Sequence, residues 1–167
     1  MPHLTRRFNA AAAIMMLSAC SAQPPGGGSV PVHTVFSDVH CAGEAAGIRR
    51  LADPAQWDEL RRRITRSYLV APAHGPAVPD FAREAVFVID MGQRPTLGYA
   101  VKLASELARV HGAHIEFRVD WQEPAPGTLQ GQMLTNPCMV VSVPAGAYAQ
   151  ASAIDERGNV RLRWTGP

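Results

Sequence analysis

Lysine is almost absent from this sequence, and its positive and negative charges nearly balance. Lys102 is the only lysine, so arginine supplies almost all of the 16 basic side chains that stand against 14 acidic ones, for a formal net charge of +2. So small a surplus excludes electrostatically driven binding to nucleic acid. The 167 residues are 47% hydrophobic, which excludes a disordered charged tail and predicts one globular domain.

The N-terminal half also lacks an apolar run long enough to cross a bilayer. The run over residues 10–17 is far shorter than the roughly 20 residues of a transmembrane helix. It follows His3, Arg6 and Arg7, and a basic start before a short apolar run is typical of a cleaved bacterial export signal. We therefore predict a signal peptide over residues 1–19.

The first of only three cysteines ends this signal. Leu17-Ser18-Ala19-Cys20 resembles the lipobox of bacterial lipoproteins, in which the cysteine is acylated, with chains such as palmitate, and becomes the first residue after cleavage. Cleavage there leaves 14 basic and 14 acidic side chains, so acyl chains rather than a basic patch would form the membrane anchor. Ser21 stands where an Asp would retain the protein at the inner membrane. We expect the periplasmic face of the outer membrane.

Residues 20–30 are rich in Pro, Gly and Ser and predict a flexible tether after the lipidated cysteine, followed by a single domain over 31–167. Cys41 and Cys138 remain as an even pair in an oxidising compartment. Two readings are open for them. The pair forms a disulfide, or the two thiols are unpaired and buried as small hydrophobic groups.

Catalytic and metal-binding motifs are missing as well. No serine lies in a G-x-S-x-G elbow, and no P-loop is present. His111 and His114 lie three residues apart and His33 and His40 lie elsewhere, whereas a metal site needs three or four converging ligands. We therefore predict a protein that is not an enzyme and that holds no metal and no cofactor.

One helix is well signalled, at about 54–66. Asp53 is a good N-cap, Pro54 suits the first helical position, and Gln56 completes a capping box. The predicted buried face of the helix consists of large residues at helical spacing, namely Trp57, Leu60, Ile64 and Tyr68. The arginines at 61–63 and 66 lie mostly on the other side, where they form a solvated face or, alternatively, bind an acidic partner.

Strands are predicted by runs of alternating or β-branched residues at 30–39, 84–90, 115–121 and 139–143. Residues 71–79 and 123–127 are rich in proline and predict loops. The segment 99–110 fits either a helical stripe or a strand, with a hairpin turn at 111–114 in the second case. The fold class is therefore α+β, mainly β, with an antiparallel sheet or sandwich and one helix.

The order of features over 80–145 resembles the C-terminal domain family of PrcB, a family named after a subunit of a protease complex. The segments that carry the resemblance are Asp80-Phe81, Asp90 to Gln93, Arg94 to Tyr99, Glu123 to Gly127, Leu134 to Pro137 and Pro144. The resemblance implies a strand at 99–110, with a hairpin through Gly112. Cys138 stands where the family usually has an aromatic residue, and this departure supports a disulfide to Cys41.

The most specific of these segments is the candidate partner-binding loop Arg94-Pro95-Thr96-Leu97-Gly98-Tyr99. Pro95 fixes one φ angle and Gly98 permits a positive one, so the loop between two strands is tight and rigid. It also resembles the Asn-Pro-Thr-Thr-Gly-Tyr loop of chagasin-type cysteine-protease inhibitors, whose fold is an immunoglobulin-like sandwich. Arg94 and Leu97 are the expected contacts. In the alternative reading the loop is only a structural turn whose Tyr99 packs into the core.

These features together predict a lipid-anchored accessory protein of the bacterial envelope. It would contact the membrane through Cys20, would not bind nucleic acid, and would bind a protein partner as a subunit or modulator of a protease complex. The alternative is a structural envelope lipoprotein with no protease partner.

Overall fold

The computed structural model describes residues 27–41, 43, 45–66 and 77–166, which form two β-sheets and one helix. The strands are β1 Gly28–Pro31, β2 His33–Asp38, β3 Ala46–Leu51, β4 Glu84–Met91, β5 Ala100–Leu103, β6 Leu107–His111, β7 His114–Gln122, β8 Cys138–Pro144, β9 Gln150–Ile154 and β10 Val160–Thr165, and the helix is α1 Pro54–Arg66. The predicted signal peptide, Cys20 and most of the predicted tether lie outside the described residues. Strand β1 begins at Gly28, inside the segment expected as tether.

Two sheets pack face to face as a sandwich. One has four strands in the order β2-β8-β4-β3, and the other has six, in the order β1-β6-β7-β9-β10 with β5 also paired to β7. Strands β7 and β9 run parallel, whereas the other pairs are antiparallel. The predicted class, mainly β with one helix in the N-terminal half, is confirmed.

The alternation of side chains along β4 explains how this sheet has a core on each face. Phe87 and Ile89 point to the six-stranded sheet, where they pack with Phe117 of β7 in the main core. Val86 and Val88 point to the opposite face and pack under α1. Because both faces of the sheet are covered here, β4 is buried along nearly its whole length. Its sequence is accordingly a nearly continuous apolar run.

Helix α1 begins as its capping residues predict. The Asp53 carboxylate accepts a hydrogen bond from the Gln56 backbone N–H (2.9 Å), and the Gln56 side-chain oxygen accepts one from the Ala52 N–H (3.0 Å). Trp57, Leu60 and Ile64 are buried on the face toward the four-stranded sheet. Tyr68, predicted to extend this face, lies outside the described residues.

Three of the four arginines of α1 pair with acidic groups of the same helix. Arg61 binds Asp58 at 3.0 Å and Arg62 binds Glu59 at 2.8 Å. These i,i+3 pairs support the reading of a solvated helix face.

The ambiguous segment 99–110 is strand, as the family resemblance implies. Strands β5 and β6 both pair with β7. Together they form one arm of a long hairpin, which is interrupted between β5 and β6, and β7 forms the other arm. The turn of this hairpin lies at Gly112, whose φ is +60°.

Three parts of the sheets differ from the strand predictions. The predicted strand 30–39 is two strands, because the chain crosses from the six-stranded to the four-stranded sheet at the buried Val32. Strand β3, Ala46–Leu51, is an edge strand that the sequence did not indicate. Residues 145–167, to which no element was assigned, contain β9 and β10.

Candidate partner-binding loops

The segment 92–99 leaves β4 through a turn that only glycine fits. Gly92 has a φ of +74°, and a Cβ atom there would lie 2.6 Å from the Ala46 backbone nitrogen. Gly98, at the other end, has a φ of +94° and lies close to Gln130 and Pro124. The two glycines therefore set the shape of the loop, as predicted for Gly98.

A second loop, 123–137, holds this segment in place. Arg94 N–H donates to the Thr135 carbonyl (2.7 Å) and Thr135 N–H donates to the Arg94 carbonyl (2.9 Å). Leu97 N–H donates to the Gly131 carbonyl (3.0 Å), and the Thr135 hydroxyl donates to the Thr96 carbonyl (3.1 Å). We call segments 92–99 and 123–137 together the loop pair. The predicted loop is thus one half of a hydrogen-bonded unit.

Arg94 and Tyr99 interact with each other at the base of the loop. The Arg94 guanidinium carbon lies 5.3 Å from the centre of the Tyr99 ring, a cation–π distance. Tyr99 in turn packs against the main core, and both side chains are half-buried. The Arg94 Nε is buried and has no hydrogen-bond partner among the described residues. Tyr99 therefore anchors the loop, and Arg94 presents only part of its guanidinium to solvent.

The remaining four residues of the predicted loop lie nearer the surface. Pro95, Leu97 and Gly98 are exposed, and Thr96 is half-buried. The Leu97 side chain is 36% exposed and lies against Gly131 of the second loop. Leu97 is therefore open to a partner on one side and held on the other.

The loop pair carries most of the large apolar side chains that the described residues expose. Leu129 is fully exposed, Leu134 is 60% exposed and Met133 is 46% exposed. All three flank Gly131 in the sequence, and the Leu97 side chain lies against Gly131. We call these four residues the apolar patch. Exposed apolar clusters on soluble domains are typical of interaction surfaces. The sequence analysis did not find the three residues of the second loop.

Charge is nearly absent around the apolar patch. No charged residue occurs between Glu123 and Asp155, and Arg94 is the single charged residue between Asp90 and Lys102. The loop pair therefore carries one partly exposed cation, Arg94, and one acidic group, Glu123, which lies at its start and pairs with Arg161 at 3.7 Å.

A disulfide fixes the base of the second loop. Cys41 and Cys138 are bonded, with their Cα atoms 5.7 Å apart, so the first of the two readings is confirmed. Cys138 opens β8 directly after the loop, and Asn136 beside it binds the Gly43 carbonyl through its side-chain amide. Cys41 N–H also donates to the Asn136 carbonyl at 3.0 Å. The loop pair is thus tied to the segment before β3.

Asp90 lies beneath the start of the loop pair. Its side chain is 94% buried, and one carboxylate oxygen accepts a hydrogen bond from the Gly92 N–H at 2.8 Å. Burial raises the pKa of this carboxyl, while the Gly92 hydrogen bond and the Arg49 charge act in the opposite direction. Asp90 therefore positions the Gly92 turn at an electrostatic cost.

Two of the histidines, His111 and His114, contact polar groups of the six-stranded sheet. His114 and Ser152 share a hydrogen bond of 2.9 Å between Nε2 and Oγ, and His111 lies 4.0 Å from Glu116. Within the described ranges no group of three or more His, Cys, Asp or Glu side chains is arranged to hold a metal ion. The same ranges contain no helix with the length and apolar character needed to cross a membrane.

The described residues form a disulfide-tied β-sandwich with an exposed pair of loops. Residues 85–144 match the family model described as PrcB C-terminal, which confirms the resemblance found in the sequence. The match runs from β4 to the end of β8, so it contains the whole loop pair and the hairpin. This family is one of accessory subunits and suggests association with a protease complex. No curated protein and no solved structure matches the chain.

Proposed function

We propose that this chain is a lipid-anchored accessory protein of the bacterial envelope that binds a protease complex through its loop pair. The apolar patch carries this proposal, because it lies wholly within the segment that matches the PrcB C-terminal family. The lipobox-like Cys20 and the tether that follows it support attachment to the outer membrane on its periplasmic side.

The rigidity of the loop pair supports a binding role. Its backbone is held by hydrogen bonds between the two loops, and its base is held by the disulfide. A preorganised surface loses little conformational entropy on binding, so more of the contact energy appears as affinity. The partly exposed guanidinium of Arg94 supplies a site for an acidic group on the partner.

Capture of the protease from envelope extract by the full-length protein tests the proposal. Leu97→Asp and Leu129→Asp place a charge in the apolar patch, and each is expected to lower capture by about tenfold or more. Unfolding temperatures should change little, because both side chains are at the surface. Val78→Asp is the matched control, since Val78 is an exposed apolar residue in a different loop. It should capture normally.

The captured partner must be identified by mass spectrometry as a protease or a protease subunit. Equal capture by all three variants would show that the loop pair is not the contact surface. A partner set without any protease would favour the structural envelope lipoprotein instead.

A further inference from the structure

A cleft of about 630 Å³ opens at the edge of the sandwich where β3 and β10 lie side by side. These are the edge strands of the two sheets, and β1 and β2 form the opposite edges. The cleft shares no residue with the loop pair. It is lined by Arg50, Ala52, Gln56, Ala147, Tyr148, Ala149, Trp164 and Gly166.

Small and aromatic residues make most of the wall apolar. Ala147, Ala149 and Gly166 leave room for a side chain, and the Trp164 ring forms one side. This ring is held edge-on against Phe87 of the main core, with ring centres 5.8 Å apart. The apolar wall is therefore rigid and does not need to be ordered when a ligand binds.

Two hydrogen-bond donors meet this apolar wall. Arg50 is half-buried and donates one hydrogen bond, of 3.3 Å, to the Tyr148 carbonyl. No carboxylate of the described residues lies within 4.0 Å of it, unlike Arg61, Arg62 and Arg63 of α1. The side-chain oxygen of Gln56 is occupied by Ala52 N–H, so its amide N–H groups are left as donors. A half-buried cation that has no counter-ion among the described residues favours an anionic ligand.

The flanking backbone favours an extended peptide over other anions. Strand β3 pairs only with β4, and β10 only with β9, among the strands that the structure describes. Along each of these edges, alternate backbone N–H and C=O groups therefore form no hydrogen bond within the sheet. An extended chain that runs along such an edge gains backbone hydrogen bonds, while its side chains enter neighbouring pockets.

We propose that this cleft binds the C-terminus of an extended peptide, with its terminal carboxylate on Arg50 and its last apolar side chain against Trp164. The apolar walls accept the side chain, the cation neutralises the carboxylate, and the sheet edge pairs with the preceding residues. The site is independent of the loop pair and of the function proposed for it.

The test follows the indole N–H signals of full-length protein labelled with ¹⁵N-tryptophan during titration with N-acetyl-Ala-Ala-Leu. The chain has three tryptophans, and only Trp164 lines the cleft. Its signal should shift in a saturable way while those of Trp57 and Trp121 stay in place. The peptide with a C-terminal amide should bind about tenfold more weakly, because a charge-assisted hydrogen bond is lost.

Three variants sharpen the test. Arg50→Gln should lower the affinity for the free acid to that for the amide, and Arg50→Lys should restore part of it. Ala147→Leu fills the cleft from an exposed position and should abolish binding of both peptides without lowering the unfolding temperature. A Trp164 signal that does not move at millimolar peptide, or equal affinity for acid and amide, would overturn the proposal. Tighter binding of octanoate than of the peptide would do the same, because the ligand would then be a fatty acid.

Discussion

Arg94 and Thr135 exchange two backbone hydrogen bonds, of 2.7 and 2.9 Å, although they lie on different loops. This exchange is an isolated antiparallel bridge, so it joins the two loops with the geometry of a sheet. Because the bridge fixes the Arg94 backbone, it also sets the guanidinium over the Tyr99 ring. The apolar patch is therefore built by a contact between residues far apart in the sequence.

Thr135→Val should weaken this contact specifically. Valine keeps the shape of the buried Thr135 side chain but removes the hydroxyl that donates to the Thr96 carbonyl at 3.1 Å. We expect the free energy of unfolding to fall by about 1 kcal/mol, as for the loss of one intramolecular hydrogen bond. Urea denaturation measures the change. Thr165→Val, at an exposed position of β10, is the control and should have almost no effect.

Loss of the disulfide should lower stability much more. The bond closes a loop between residues 97 apart in the sequence, and the chain-entropy relation assigns about 4.7 kcal/mol to a loop of this length. Denaturation of Cys41→Ala/Cys138→Ala, compared with the oxidised parent, measures the loss. A loss below about 1 kcal/mol would contradict the view that the bond ties the base of the loop pair to the fold.

Elements with strong local signals could be predicted from the sequence. Helix α1 has both capping residues, and β4 is a continuous β-branched run between loops. β3 was missed because it contains a glycine and two arginines, and β9 because two of its inward residues are alanines. Such strands form because neighbouring strands pair with them, and not through their own propensity.

The candidate site could be predicted only in part, for a similar reason. Pro95 and Gly98 indicated a rigid loop between two strands. In the structure this segment does connect two strands, β4 and β5. Residues 129–134 gave no comparable signal, since nothing in their sequence shows that Leu129 and Met133 are exposed or that Gly131 between them contacts Leu97. That juxtaposition depends on the hydrogen bonds between the two loops. The uncharged stretch after Glu123 was the available sign of an unusual surface.

Cys20→Ala should release the protein from the membrane. The substitution removes the thiol that acylation requires, so we expect the variant in the soluble or uncleaved fraction, without added lipid mass. Fractionation and mass spectrometry of the intact protein measure both properties. Cys41→Ala is the matched cysteine control and should leave membrane attachment unchanged. Equal membrane partition of the Cys20 variant, with no lipid mass on the parent, would contradict the predicted anchor.

Asp90→Asn should change stability in a way that depends on pH. Burial raises the pKa of the Asp90 carboxyl above its ordinary value of 3.8, so the folded state favours the protonated form. The stabilising contribution of this group is therefore complete below about pH 3.8 and is lost as the pH rises through the folded-state pKa. Asparagine keeps an acceptor for the Gly92 N–H but carries no charge. Relative to the parent, the variant should gain stability between pH 4 and pH 7 in urea denaturation.

Asp155→Asn provides a control of opposite sign. Burial alone would raise the pKa of this carboxyl, but hydrogen bonds from Asn159 and Arg161 lower it to about 2. Its contribution is present above pH 3.8 and is lost as the pH falls through about 2, so this variant should be less stable than the parent at pH 7, with a smaller difference near pH 2. If Asp90→Asn instead followed the pattern of Asp155→Asn, the attraction of Arg49 for the Asp90 carboxylate would outweigh its burial. The Gly92 turn would then be stabilised by an ion pair.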